Sequence, residues 1–288
     1  FYGDPRWIKE RKDFLITWNI EGPISEMYGA YETAGFPMIP NLYKPILRQR
    51  WLRYALAYAI DKKYALEAAM GGAGIIQSPS FLNPQLADFK ELVNEDVIKA
   101  NFETERDPVT GVLYIKYDPE KAIEILKEHC EGSPEEGWTC NGEKLGPWKI
   151  AVVQGWTDVM IECEVVARCW TKIGIPTEPE FLEYGTWASL WKTRDFDWIW
   201  GVDAESIGIL GPLEGLTTEF VEPIGGPWSG SKVGYQEFWT EKYPETENTA
   251  DEVKKLILSL WSMERGSDEY IKTIKRIQEI IIPQLPYI

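Results

Sequence analysis

The sequence predicts an α/β fold, with a mixed sheet that contains βαβ units and is flanked by helices. The evidence is concentrated between residues 147 and 203, where strand and helix patterns alternate. Short apolar runs over 149–154 and 196–202 are typical of buried strands, and an extended segment near 177–181 lies between them. A helical pattern over 157–170 joins the first two strands. Because parallel strands joined by helices need right-handed crossovers, the stretch predicts βαβ units.

Local signals predict where these elements begin and end. Gly155 interrupts the first strand, and Thr157 or Asp158 is suited to cap the helix that follows. Gly174 is suited to the position just after that helix. Thr186 is the predicted cap of a short helix before the third strand.

The other parts of the chain predict further helices joined by loops and short strands. Asp118 and Pro119 give one of the strongest helix starts, since the carboxylate can cap and proline suits the first helical position. Proline at 283 is expected to stop the last helix. In chain order, the patterns predict a strand at 14–20, a loop at 21–45, helices at 46–60 and 61–70, a loop at 74–84, a weak helix at 86–101, a strand at 112–117, a helix at 119–130, a polar loop at 131–146, irregular chain at 208–249, and helices at 251–263 and 268–282.

The charge balance excludes one class of partner. The 288 residues carry 46 acidic and 30 basic side chains, for a net charge of −16. Binding to phosphate backbones needs clustered Lys and Arg, so we expect no nucleic-acid partner. The unusual feature of the composition is tryptophan, with 14 residues against 10 phenylalanines.

Three motifs in order resemble one protein family. The segment RWLRYALAYAIDKK (50–63) resembles a helix of the pattern R-x-A-L-x-x-A-I-D, and YDPEKAIEILK (117–127) resembles Y-D-P-x-K-A-x-x-L-L. The central stretch adds a strand ending in Q-G, a K-I-G-I turn and an F-D strand. Together they resemble the C-terminal lobe of extracellular solute-binding proteins of the dipeptide, oligopeptide and nickel class, family 5, of ABC transporters. The segment 208–243 matches nothing in that family.

The resemblance implies a fold and a set of partners. We expect residues 1–288 to form a single α/β lobe of a type 2 periplasmic-binding-protein-like fold, with a Gly/Pro-rich insertion at 208–249. The implied partners are an N-terminal lobe of the same receptor, a captured ligand and an ABC permease in the membrane. Neither a cofactor nor catalysis is implied. The chain shows no signal peptide or membrane-spanning segment, and we expect a lobe of an extracellular or periplasmic receptor that is membrane-anchored at full length.

Aromatic residues mark the predicted ligand-binding site. In open α/β sheets, ligands bind beyond the carboxyl ends of the strands. Trp156 follows the first strand, Tyr184 is expected to end the second, and Trp200 and Asp203 lie at the end of the third. Tyr184 stands where peptide-binding relatives carry a tryptophan. With residues of a neighbouring helix and of a Gly-rich loop, the predicted ligand-binding set is Trp156, Tyr184, Trp187, Trp200, Asp203 and Trp228.

The aromatic residues favour an oligosaccharide as the ligand. An indole ring stacks on the apolar C–H face of a pyranose, and buried apolar area contributes roughly 25 cal/mol per Å². An oligopeptide is the alternative, and for that ligand the family resemblance implies that Asp203 would pair with its amino terminus. A tryptophan-rich core is the competing explanation, which we expect to hold for Trp51, Trp170, Trp191 and Trp198.

Enzymatic alternatives find less support in the sequence. A carbohydrate-active hydrolase would use Asp203 with Glu205, but the matching motifs belong to a transport family. His129 is the one histidine, at a predicted helix end, and zinc would need several His or Cys residues at close spacing. No metal site is therefore expected. Asp197 is predicted to support the structure.

The four cysteines divide into two pairs. Cys130 and Cys140 flank a polar loop, where either a disulfide or two free thiols is consistent with the sequence. Cys163 and Cys169 lie six residues apart on one predicted helix, so they face different sides and cannot bond to each other. They are predicted to be small buried side chains.

Overall fold

A computed structural model describes residues 33–34, 38–71, 75–82, 88–108, 111–201, 212–221 and 249–288. The strands are β1 (Thr33–Ala34), β2 (Met38–Pro40), β3 (Ile75–Ile76), β4 (Thr104–Arg106), β5 (Leu113–Ile115), β6 (Glu131–Ser133), β7 (Gly137–Cys140), β8 (Glu143–Lys144), β9 (Trp148–Val153), β10 (Thr177–Leu182) and β11 (Trp198–Trp200). The helices are α1 (Arg50–Ala59), α2 (Lys62–Met70), α3 (Phe89–Leu92), α4 (Glu95–Asn101), α5 (Pro119–His129), α6 (Thr157–Lys172), α7 (Tyr184–Thr193), α8 (Pro212–Phe220), α9 (Thr249–Leu260) and α10 (Asp268–Ile281). Among these helices, none has both the length and the apolar character needed to cross a membrane.

The main sheet has the strand order β10-β9-β11-β2 and is mixed. Strands β9, β10 and β11 are parallel, with Thr177 opposite Trp148 and Ile199 opposite Ala151. Strand β2 runs antiparallel to β11, with Met38 opposite Trp200. Helices α6 and α7 are the crossovers of two βαβ units. The predicted α/β class and its mixed sheet are therefore confirmed.

The core against α6 is built from tryptophans. Trp170 of α6 is fully buried and its ring centroid lies 4.8 Å from that of Trp198 and 6.4 Å from that of Trp148. Trp191 of α7 is also buried. Burial of aromatic side chains of this size dominates the energetics of a core. The predicted core positions of Trp170, Trp191 and Trp198 are therefore confirmed.

Strand β2 corrects the prediction of a long loop over 21–45. All three of its residues are buried, and Met38 exchanges backbone hydrogen bonds with Ile288, at 2.8 and 3.2 Å. The Asn41 side chain donates to the carbonyl oxygens of Arg194 and Phe196, which fixes β2 beside β11. A strand of three residues that ends in proline is too short to show a period, which is why the pattern concealed it.

The predicted polar loop over 131–146 is instead a small antiparallel sheet of β6, β7 and β8. Trp138 of β7 is fully buried, and its indole N–H donates to the Ile173 carbonyl oxygen at 2.6 Å. Gly174 has φ of +87°, and a Cβ there would lie 2.9 Å from the Trp138 indole nitrogen. Trp138 therefore attaches an otherwise polar segment to the turn after α6.

The two cysteines at this small sheet form a disulfide in the structure. Cys130 follows α5 and Cys140 ends β7, with their Cα atoms 4.3 Å apart. The bond closes a loop between residues 10 apart in sequence, for which chain entropy gives about 2–3 kcal/mol of stabilisation. Cys163 and Cys169 are free and buried, as predicted.

The predicted helix over 46–60 is divided. A 3₁₀ turn spans Pro45–Arg48, Gln49 has extended backbone angles, and α1 begins at Arg50. The division leaves carbonyl oxygens of the 3₁₀ turn facing inward, where the buried Arg53 guanidinium takes them as acceptors. Trp51, predicted to be a core residue, is only half-buried and stacks on the exposed His129 ring with centroids 4.5 Å apart.

Most other helices begin and end close to the predicted residues. The Asp61 side chain accepts from the Tyr64 N–H, and Gly71 ends α2 in the left-handed conformation with φ of +59°. Asp118 caps α5 by accepting from the Lys121 N–H at 2.9 Å. Differences remain elsewhere. The predicted helix over 86–101 is divided into α3 and α4, α8 lies within the stretch expected to be irregular, and the predicted strand over 14–20 lies outside the described residues.

Strand β10 lies at one end of the described sheet order, and its outward polar groups are partly occupied. The carbonyl oxygens of Pro176 and Leu182 accept from β9 and the residue after it, so Thr177, Pro179 and Phe181 direct their backbone groups outward. The Thr177 N–H donates to the Thr171 hydroxyl at 3.1 Å, and that hydroxyl donates to the Thr177 carbonyl at 3.3 Å. Pro179 has no N–H to offer.

A charged cluster on α4 gives a testable pH dependence. Arg106 donates to both carboxylate oxygens of Glu95, at 2.9 and 2.8 Å, and Lys99 donates at 2.8 Å. Mainly because of Arg106, the pKa of Glu95 is lowered from 4.5 to about 2. As the pH falls, the Glu95 carboxylate is therefore protonated at a higher pH in the unfolded chain than in the folded chain. Its contribution to the free energy of unfolding is complete above about pH 4.5 and is lost as the pH falls toward 2.

We expect Glu95→Gln to lower the free energy of unfolding at pH 7 by less than about 1 kcal/mol, because the cluster is at the surface. The difference from the unmodified protein should shrink at pH 3. Urea unfolding at both pH values measures it. Glu91→Gln, at an exposed position of α3, is the matched control. An equal effect of Glu95→Gln at pH 7 and pH 3 would contradict the assignment.

Candidate ligand-binding site

Four aromatic residues of the predicted set come together at the carboxyl edge of the main sheet. Trp156 follows β9 as the cap residue of α6, and Tyr184 is the first residue of α7. Trp187 lies one turn further along α7, and Trp200 is the last residue of β11. Strand β11 and the starts of two crossover helices therefore supply one cluster, which we call the aromatic wall (Trp156, Tyr184, Trp187 and Trp200).

The rings of the aromatic wall are in mutual contact. The Trp156 centroid lies 5.2 Å from that of Trp200, with the planes at 89°, and 6.2 Å from that of Tyr184, with the planes at 42°. Trp187 touches the other three rings, with centroid distances of 6.4 Å to Trp156, 5.9 Å to Tyr184 and 5.9 Å to Trp200. Edge-to-face and tilted contacts of this kind are favourable for aromatic pairs.

Exposure divides the aromatic wall into two layers. Trp156 is 39% exposed and Tyr184 is 45% exposed, whereas Trp187 is 1% and Trp200 is 3% exposed. The outer pair can contact a solute directly. The inner pair is buried in the core.

Tyr184 has a different structural position from the one predicted. The carboxylate of Glu183 accepts from the N–H groups of Gly185 and Thr186, at 2.8 and 3.2 Å, and so caps α7. The helix therefore begins at Tyr184, and the predicted cap Thr186 lies within its first turn. Glu183 takes that role because its side chain reaches the free N–H groups of the first turn.

Trp156 is held by the turn between β9 and α6. Gly155 has φ of +94°, and its N–H contacts the Met160 sulfur at 3.2 Å. The preceding Gln154 N–H donates to the Leu182 carbonyl oxygen at 2.7 Å, which ties this turn to the end of β10. Trp156 itself, not the predicted Thr157 or Asp158, occupies the cap position of α6. Its backbone is thus fixed while its ring remains exposed.

Two residues of the predicted ligand-binding set, Asp203 and Trp228, lie outside the described residues, as does Glu205. Asp197 lies at the other end of β11, where it forms an ion pair with Lys44 and accepts from the Lys149 N–H at 2.9 Å. Its predicted structural role is therefore confirmed.

A small cavity near the same edge was not predicted. Its volume is about 40 Å³, enough for a few water molecules, and none of the four rings of the aromatic wall lines it. Lys62, Ser78, Glu162 and Tyr287 are among its lining residues. Burial lowers the pKa of Lys62 from 10.5 to about 8. These residues come from four separate parts of the chain, so no local pattern could have grouped them.

Within the described ranges, no group of three or more His, Cys, Asp or Glu side chains is placed to hold a metal ion. Phe181 of β10 is exposed three residues before Tyr184, although it was not in the predicted set. No ring contact joins it to the aromatic wall within the described part of the chain.

Comparison with known protein families identifies the class of this chain. The family described as "Bacterial extracellular solute-binding proteins, family 5 Middle" matches residues 10–206. The chain therefore belongs to this family of extracellular solute receptors, and the family predicted from three motifs is confirmed. No curated protein matches the sequence.

Solved structures show the same fold. The chain is similar to a mannohexaose-bound periplasmic oligopeptide-binding protein from Thermotoga maritima, with a TM-score of 0.73, 20% identity, and coverage of 100% of this chain and 48% of the other. It is also similar to AppA from Bacillus subtilis in complex with a nonapeptide, with a TM-score of 0.59, 18% identity, and coverage of 87% and 43%. It is likewise similar to NikA from Brucella suis in complex with Fe(III)-EDTA, with a TM-score of 0.60, 15% identity, and coverage of 87% of this chain and 43% of the other. The chain thus spans about half the length of these proteins.

Proposed function

We propose that this chain is the C-terminal lobe of the substrate-capture component of an ABC importer, and that the aromatic wall forms one side of its ligand cleft. The exposed pair Trp156 and Tyr184, at the carboxyl edge of the sheet, is the observation that carries the proposal. In α/β sheets this edge is where ligands bind. Family membership supports a receptor for a solute.

The proposed ligand is an oligosaccharide. Two adjacent exposed rings offer flat apolar surface, which suits the C–H faces of pyranose units. The mannohexaose in the T. maritima structure shows that a protein of this fold can hold a sugar chain. An oligopeptide is the second candidate, favoured by the nonapeptide in AppA. In that case Asp203 would pair with the ligand's amino terminus.

The proposal includes the rest of the receptor. An N-terminal lobe would supply the opposite wall of the cleft, and hinge closure would trap the ligand between the lobes. The closed receptor would then dock on a membrane permease. We place the full-length receptor outside the cytoplasmic membrane and attached to it by an anchor. Residues 1–288 would form one lobe, with 208–249 as an insertion.

The test measures how two ligand classes bind to the unmodified chain and to one variant. We expect weak, saturable binding of manno- and cello-oligosaccharides, because the chain supplies one wall of the cleft. Trp156→Ala should weaken this binding by roughly tenfold, the effect of losing one stacked ring. Titration calorimetry at millimolar ligand measures the affinities, and short peptides serve as the second ligand class.

Trp261→Ala is the matched control. Trp261 follows α9 and is 50% exposed, comparable with Trp156, but makes no ring contact with the aromatic wall. Its replacement should leave sugar binding unchanged. Saturable binding of peptides alone would overturn the sugar proposal and favour the oligopeptide receptor. Equal losses in the two variants would show that the aromatic wall is not where the ligand binds.

A further inference from the structure

We infer that Trp156 and Tyr184 form a stepped platform that docks two consecutive units of an extended ligand on its outer surface, one unit per ring. The inference rests on the proposed function and specifies which ligands the same site accepts. It predicts that a ligand of two or more units binds more tightly than a single monosaccharide.

The spacing of the two outer rings excludes a clamp. A unit held between two rings needs roughly parallel planes separated by about 7–8 Å, because each face requires carbon contacts of about 3.5–4 Å. The Trp156 and Tyr184 centroids are 6.2 Å apart, and their planes are inclined at 42°. No ring-sized unit fits between them. A ligand must therefore cross the two rings on the side that faces solvent.

The inclination is fixed from beneath by the inner pair. Trp200 meets Trp156 edge to face at 5.2 Å, and Trp187 contacts both outer rings, at 6.4 and 5.9 Å. Because the inner rings are buried, they cannot turn without disturbing the core. Trp187 and Trp200 are therefore positioning residues that set the step between the outer rings.

The backbone under each outer ring is fixed as well. The Glu183 carboxylate caps α7 just before Tyr184, and the Gln154 N–H ties the turn before Trp156 to Leu182. The platform is thus formed before any ligand arrives. Preorganisation of this kind reduces the ordering cost of binding. A ligand gains most when it has a second unit that follows the step.

Ligand-observed saturation-transfer NMR tests the inference on the chain with mannose, mannobiose and mannotriose. We expect strong saturation of C–H protons on two consecutive units of mannotriose. Affinity should rise roughly five- to tenfold from mannose to mannobiose, as a second stacked ring is added. Saturation confined to one unit, with no rise in affinity, would overturn the platform while leaving sugar capture intact. Absence of saturation for all three sugars would overturn the sugar proposal, and the platform with it.

Single substitutions assign the units to the rings. Trp156→Ala and Tyr184→Ala should each remove the gain between mannose and mannobiose while retaining binding on the remaining ring. Tyr64→Ala is the control for Tyr184, since Tyr64 of α2 is 52% exposed and makes no ring contact with the aromatic wall. If neither outer variant reduced the mannobiose-to-mannose ratio, the platform would be refuted.

The positioning role has its own readout. Trp187→Phe should lower the mannobiose-to-mannose affinity ratio toward one, because a smaller ring leaves the outer pair without its common support. A merely structural loss would lower both affinities together and leave the ratio unchanged, and that result would refute the role of Trp187. Trp170→Phe, at a buried position of α6 whose ring contacts Trp148 and Trp198 and not the aromatic wall, is the control for general loss of packing.

Discussion

Arg53→Met is expected to lower the free energy of unfolding by about 3–5 kcal/mol, because the buried guanidinium joins two distant parts of the chain. Arg53 is 2% exposed. It donates to the carbonyl oxygens of Leu47 and Arg48, at 2.9 and 2.7 Å, and to those of Gln284 and Leu285, at 2.7 and 2.8 Å. Methionine fills similar space but leaves these four acceptors without that donor.

Urea unfolding followed by circular dichroism measures this effect. Arg50→Met is the matched control, since Arg50 begins the same helix and is exposed, and its replacement should cost less than about 0.5 kcal/mol. Arg53→Lys should lower the free energy of unfolding by an amount between those of the two methionine variants, because one ammonium group cannot reach all four acceptors. Equal stability of Arg53→Met and Arg50→Met would show that the guanidinium does not hold these segments together.

Trp138→Ala should be comparably destabilising, by about 3–5 kcal/mol. The side chain is fully buried at the centre of the small sheet, and its indole N–H donates to the Ile173 carbonyl oxygen. Alanine removes both the packed ring and the donor. We expect the 131–146 segment to separate from the turn after α6, although the disulfide still holds it at Cys130 and Cys140.

The contribution of the hydrogen bond is separated by Trp138→Phe, which retains most of the ring and should cost about 1–2 kcal/mol less than Trp138→Ala. Trp261→Ala, at a half-exposed tryptophan whose indole N–H donates to the Thr217 hydroxyl at 3.2 Å, should lower the free energy of unfolding by no more than about 1.5 kcal/mol. Thermal unfolding under non-reducing conditions compares the stability of the three variants. A Trp138→Ala protein as stable as Trp261→Ala would mean that the small sheet contributes little to the stability of the chain.

The central βαβ units could be predicted because each of their signals is local. The apolar run of β9, the glycine at 155 and the glycine at 174 each act within a few residues. The capping carboxylates Asp61 and Asp118 are equally local, and their helices begin where expected. The crossover rule then predicts right-handed βαβ units, whereas the strand order β10-β9-β11 could not be predicted from these local signals.

Elements that depend on distant partners could not be predicted in this way. Strand β2 exists because β11 and the residues near Ile288 pair with it, and nothing within its three residues indicates this. The small sheet at 131–146 depends on Trp138 reaching a carbonyl 35 residues away. The break in the helix at Gln49 likewise allows the Arg53 guanidinium to reach the carbonyl oxygen of Leu47 as well as those of Gln284 and Leu285.

The sequence predicts where the candidate site lies better than it predicts which of its aromatic rings are exposed. Strand ends meet at one edge of a parallel sheet, so the convergence of Trp156, Tyr184 and Trp200 followed from topology. Which rings lie outside depends on packing between elements: the buried Trp200 is covered by Trp156 and Trp187, which lie at the starts of two different helices. Tyr184 lies in α7 and not at the end of β10 because the Glu183 carboxylate caps the helix just before it.

The outward side of β10 bears on how the protein behaves when concentrated. A bare strand edge can recruit a second molecule into a growing intermolecular sheet. Here the Thr171 hydroxyl is hydrogen-bonded to both the N–H and the carbonyl of Thr177, and Pro179 lacks an N–H donor further along the strand. Within the described residues, the Pro179 carbonyl and the N–H and carbonyl of Phe181 are the outward groups of β10 that remain to template such growth. We expect so short a row to pair poorly with an incoming strand, so that this edge resists self-association at high protein concentration.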